Sequence, residues 1–159
     1  MKSEVRITDK HIQITRVFDA PRERVFAAWK RPELLERWSG CSDSTKVTVA
    51  MDFRVGGSFT QTMNITGAGE YTITGQYDEI VEPEKIVYHV NLGPTTTRVT
   101  VEFTDVLGQG QQTKVVLTQE GFPDPKLGEI VSKGTNESFE KLAELLASQA
   151  PSASRVSMN

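Results

Sequence analysis

Between Lys46 and Gly121 the chain alternates apolar and polar residues, and only short clusters of turn-forming residues interrupt the pattern. A period of two is the signature of half-buried strands. It predicts strands over residues 46–53, 58–66, 70–81, 85–92, 96–107 and 112–121, separated by "VGG", "TGAG", "EPE", "LGP" and "GQG". A parallel crossover needs about a dozen residues or more, and none of these links is that long. Six successive strands must therefore run as an antiparallel meander. Parity assigns Phe59, Met63, Ile65, Tyr71, Ile73 and Tyr77 to the inner face of its first half. Tyr88, Val90, Val99, Val101, Phe103, Val115 and Leu117 continue that face, and Gly75 reads as the mark of a bulge.

The flanks supply what covers the sheet. "HIQITRVFD" alternates with Ile12, Ile14 and Phe18 on one side, which predicts a seventh strand. Pro21 suits the first turn of a helix, with Asp19 as its cap, and Val25, Phe26 and Trp29 share one helical face. Pro32 ends that helix, and "PELLERW" begins a second, with Leu34, Leu35 and Trp38 buried. Asp124-Pro125 then starts a long helix, striped by Leu127, Val131, Gly134, Ser138, Phe139, Leu142 and Leu145 or Leu146. Residues 150–159 are polar and proline-bearing, and are expected to be disordered. The expectation is one α+β domain over residues 1–149: a curved seven-stranded antiparallel sheet around a C-terminal helix, with two short helices after the first strand. A sheet of that size curls, and one helix does not fill its concavity.

Composition narrows the function by exclusion. A net charge of −3 with scattered basic residues argues against a nucleic-acid partner. No run approaches the roughly 18 apolar residues of a membrane span, and the N-terminus lacks a signal-peptide core. A lone cysteine, Cys41, suits a reducing compartment, so a cytoplasmic location is expected. His11 and His89 have no companions at metal-ligand spacing, and nothing aligns a serine and an acid with either ring. Cys41 has no neighbouring histidine to activate it. Carboxylates such as Glu36 and Glu140 fall on predicted solvated faces. "DFRVGG" lacks the lysine of a phosphate loop and reads as a turn braced by Asp52 and Arg54. No catalytic residue, metal site or cofactor is expected.

The passages "TRVFDAPRERVFAAWKRPELLERW", "MDFRVGGSF", "EIVEPEKIVYHV" and "ESFEKLAELL" resemble the START-like SRPBCC superfamily, and within it the activator-of-heat-shock-ATPase homologue-like group. The resemblance spans about residues 9–148 and implies the helix-grip fold. It also implies an internal cavity for a small hydrophobic or amphipathic ligand. Two departures stand out: Gly134-Thr135 where the group carries glycine followed by tryptophan, and Trp38-Ser39-Gly40-Cys41 where it reads Trp-Gly-Pro. The first leaves more room over the sheet.

Any one aromatic here is more simply read as core. As a set gathered by this fold, the candidate ligand contacts are Trp29, Trp38, Phe59, Tyr71, Tyr77, Tyr88, Phe103 and Phe139, with Met63, Leu117, Val131, Gly134 and Thr135 beside them. Gln61, with Gln119 as a further polar point, would orient a ligand. On this reading the 15–40 passage is a lid over the open end. Two other readings remain: a co-chaperone that stimulates a chaperone ATPase, and a cofactor-free cyclase or dehydratase. Against the first, the chain reaches its first strand within about ten residues and lacks the extra N-terminal domain of such co-chaperones, so a chaperone partner is not expected. A homodimer through an edge strand, the first or the second, is compatible with the pattern.

Overall fold

Strands linked by tight turns have little choice of neighbour, and the computed structural model shows eight of them in one antiparallel sheet. It describes residues 3–8, 10–39 and 44–149. Cys41 and the tail from residue 150 lie outside the described residues, as does the side chain of Ile65. The strands are β1 (Glu4–Ile7), β2 (His11–Phe18), β3 (Ser44–Met51), β4 (Ser58–Ile65), β5 (Gly69–Val81), β6 (Lys85–Leu92), β7 (Thr95–Asp105) and β8 (Thr113–Glu120). Across the sheet they run β1-β2-β8-β7-β6-β5-β4-β3, so β3 to β8 form the meander and β2 returns against β8.

The strand count corrects the sequence reading by one. β1 is four residues long and all four are exposed, so its Glu-Val-Arg-Ile alternation is too short to distinguish a strand and buries nothing. Backbone pairing alone marks it, from Glu4 opposite Thr15 to Ile7 opposite Ile12. Gly75 is also not a bulge. It faces Phe59 across the β4–β5 pair, and a Cβ there would strike the Phe59 ring and the His89 carbonyl oxygen. The register shift lies further on, between Tyr77 and Glu79, which puts Asp78 beside His89 Nδ1 at 2.5 Å on the outer surface.

Helices α1 (Arg22–Lys30) and α2 (Pro32–Trp38) connect β2 to β3. Pro21 occupies the N-cap of α1 without any side-chain cap. Asp19 lies too far upstream for that task and instead accepts a hydrogen bond from Gln112 Nε2 at 2.6 Å. α2 covers the free edge of β3, where Glu36 Oε2 accepts the Val49 N–H at 2.9 Å. Glu36 thus satisfies an edge amide instead of standing free in solvent. α3 (Pro125–Ser148) begins as expected, with Pro125 in its first turn and Asp124 Oδ1 accepting the Leu127 N–H at 2.9 Å. Glu140 on α3 also has a partner, because the buried Arg16 of β2 reaches it at 2.7 Å.

The C-terminal half of α3 is the grip. Phe139, Leu142, Leu145 and Leu146 are buried, and Phe139 meets Phe18 edge-on with ring centroids 5.6 Å apart. α1 adds Phe26 and Trp29, each 5.2 Å from Phe103. Further toward the N-terminus of α3, Leu127, Val131 and Gly134 are only half-buried.

A candidate ligand cavity

The half-buried stretch of α3 stands over the inner face of β4 to β8 without filling the space between. The space left is a cavity of about 280 Å³. Trp29, Leu35, Trp38 and Ser39 of the short helices wall one end. The sheet contributes Phe59, Gln61 and Met63 of β4, then Tyr77, Tyr88 and Leu117. Val131, Gly134, Thr135, Ser138 and Phe139 of α3 form the roof. Among the sequence-derived candidates, Tyr71 and Phe103 lie elsewhere. Tyr71 faces Met63 across the strand pair but sits near the end of β5, 46% exposed. Phe103 is enclosed by Phe26 and Trp29 and belongs to solid core.

The helical wall is fixed in place. Trp29 and Trp38 lie edge to face with centroids 4.7 Å apart, and the Trp38 indole N–H donates to the Ala28 carbonyl at 3.0 Å. Trp29 also packs on Phe139. Helices α1 and α2 therefore close the cavity as a wall anchored in the core, where the sequence suggested a lid.

The lining is mainly apolar, and besides the Thr135 and Ser138 hydroxyls of the roof its polar groups occur at three places. Burial pushes the pKa of the Tyr88 hydroxyl up to about 12, an effect that the neighbouring Trp29 side chain partly offsets. Tyr77, its cross-strand partner, is raised further by burial and by the proximity of Tyr88. Both are neutral phenols near pH 7. At the α2 end, the Ser39 hydroxyl donates to Leu35 O at 2.5 Å and accepts from Gln61 Nε2 at 2.7 Å. Near the start of α3, Gln119 Nε2 donates to Thr97 Oγ1 at 2.8 Å. No carboxylate, imidazole or amine lines the cavity among the described residues. Nor do three His, Cys, Asp or Glu side chains converge on any potential metal site among them. Among the described residues no helix is long and apolar enough to cross a membrane.

The sequence profile of the family described as "Activator of Hsp90 ATPase homolog 1-like protein" matches residues 19–147. The chain belongs to that family. Solved structures agree on the fold. Protein CV1439 from Chromobacterium violaceum is 28% identical, with a TM-score of 0.74 over 86% of this chain and 96% of that one. A protein from Arthrobacter aurescens is 21% identical, with a TM-score of 0.80 over 92% of each chain. CalU16 from Micromonospora echinospora is 17% identical, with a TM-score of 0.70 over 99% of this chain and 92% of that one. No functionally curated protein sequence matches this one significantly.

Within this Activator of Hsp90 ATPase homolog 1-like domain, Gly134 and Thr135 both line the cavity, at the site of the first departure noted above. Among the lining residues not chosen from sequence are Ser39, Val49, Leu92 and Ser138. Val49 sits on the edge strand β3, and Leu92 is the last residue of β6. Their period-two pattern carried the signal for Val49. Nothing in the residue types flagged Ser39, whose position depends on how α2 turns into β3.

Proposed function

We propose that the protein binds a small, largely apolar molecule in the cavity between α3 and the sheet. The observation that carries this reading is the space itself. It remains open although Trp29, Met63, Tyr88 and Phe139 all reach its walls. Small-molecule pockets run from roughly 300 to 1,000 Å³, apolar with a few placed polar groups, and this one lies at the small end. Burying about 300 Å² of apolar ligand surface at roughly 25 cal/mol per Å² contributes about 7 kcal/mol before binding costs. Taken alone, that gain corresponds to a Kd of about 10 μM, and lost rigid-body freedom weakens it toward the millimolar range except where polar contacts add to it. The candidate contacts are the sequence-derived set without Tyr71 and Phe103.

The enzymatic alternative finds less support. Both tyrosines hold their protons tightly, and among the described residues no acid or base faces the cavity to move one. A co-chaperone activity, which the family's description brings to mind, needs an outer surface and leaves the interior space without a purpose. Titration with the neutral environment-sensitive dye prodan, followed by displacement with lipids and flavonoid-like aromatics, tests the binding reading. Saturable one-to-one binding with a blue-shifted emission is expected. If neither the dye nor any competitor binds, the reading is wrong.

A further inference from the structure

Gln119 is a deeply buried polar side chain on the cavity wall, at 6% exposure, and its carboxamide nitrogen is turned toward Thr97. The Thr97 hydroxyl directs its proton at Val90 O, 3.4 Å away, so toward Gln119 it acts as acceptor and takes the Nε2–H at 2.8 Å. That leaves Gln119 Oε1 without a hydrogen-bond partner among the described residues. Gln61 repeats the arrangement at the other end, since Ser39 spends its proton on Leu35 O and accepts from Gln61 Nε2. Gln119 Oε1 is not sealed among protein atoms: it is an acceptor open to the cavity, with the second Nε2–H beside it.

Charge is excluded by the same lining. Among the described residues no cationic side chain faces the cavity. Lys141 of α3 donates to the Ser39 backbone carbonyl at 3.3 Å. Gln119 is at the other end of α3: it pairs with Ile12, against which Gly128 in the first turn of the helix packs. Lys141 lies ten residues beyond Val131, about 15 Å along the axis at a rise of 1.5 Å per residue. A carboxylate beside Gln119 would be buried without a counter-charge, which is strongly unfavourable.

We infer that the ligand is an uncharged, mainly apolar molecule that carries a hydroxyl group and donates it to Gln119 Oε1. This rests on the binding reading above. The test compares three probes of one shape, 2-naphthol, 2-methoxynaphthalene and 2-naphthoate, by prodan displacement at pH 7 against wild type and Gln119→Leu. In wild type, 2-naphthol should bind about tenfold more tightly than its methyl ether, which cannot donate. 2-Naphthoate should bind at least about a hundredfold more weakly than 2-naphthol. In Gln119→Leu the advantage of 2-naphthol should vanish while the ether keeps its affinity within about twofold, which also reports an intact fold. If the variant binds none of the three, Gln119→Met decides by the same comparison. Equal affinity of ether and naphthol in wild type, or tightest binding by the carboxylate, would overturn the inference and leave the cavity reading standing. Binding by none of the probes to wild type would remove both.

Discussion

Two regions of the inner face are built from similar residues and end in opposite states. Beside α1 and the C-terminal half of α3, Phe18, Phe26, Phe103, Phe139 and Leu142 are almost wholly buried and mesh ring on ring. Beside the N-terminal half of α3, Phe59, Tyr77 and Tyr88 also touch, at 5.3 Å and 5.5 Å from the Phe59 ring, yet open space remains beyond them. The difference comes from what stands opposite. The solid region faces Phe139, Leu142 and Leu146, whereas the hollow region faces Val131, Gly134 and Thr135. Small residues on one half-helix are enough to convert a core into a container.

Truncation should separate the two regions most sharply. Phe103→Ala is expected to cost about 3–5 kcal/mol in denaturant unfolding, because its neighbours are locked and a cavity would remain. A cost near 1 kcal/mol would show that the solid region is not solid. High pH probes the border of the hollow region. Tyr88 ionises at an ordinary value of 10.0 when unfolded and about 12 when folded. Its contribution is therefore complete below pH 10 and is lost as pH rises toward 12. At about 1.4 kcal/mol per unit, this amounts to roughly 2–3 kcal/mol. Tyr88→Phe should flatten that part of the stability profile. A profile as steep in Tyr88→Phe as in wild type would show that Tyr88 is not held out of water.

Gly75→Ala should cost about 2 kcal/mol, since both the Phe59 ring and the His89 carbonyl block the new methyl group. Thermal unfolding reads this directly, and a neutral effect would mean that the Phe59 wall is looser than its geometry. The smallest change is expected at the roof. Val131→Ala should cost less than about 1 kcal/mol, because one side of that residue already faces open space. A loss as large as that of Phe103→Ala would erase the distinction between the regions.

Most of the fold was legible because the meander writes itself into the sequence twice, as alternation and as turn residues. What escaped was local. "EVRI" is a strand by backbone pairing alone, with all its side chains exposed. Gly75 looks like any strand glycine until the Phe59 ring is placed against it. The inner face was readable by parity, but parity does not say where along a strand the cavity stops. Tyr71 and Phe103 share the correct face, and one falls near a strand end while the other falls inside the core. The polar arrangement was the least legible part. Gln119 could be placed on the inner face, yet its free acceptor depends on Thr97 and Val90, which reach it only through the register of β6, β7 and β8.

The claim beneath all of this is that the space under Val131, Gly134 and Thr135 is a place where a molecule resides. Thr135→Trp tests it most directly, since an indole there would occupy that space while leaving the solid region untouched. The account predicts saturable prodan binding by wild type and at least a tenfold loss in Thr135→Trp, with an unchanged unfolding midpoint. Equal binding by both proteins would contradict it.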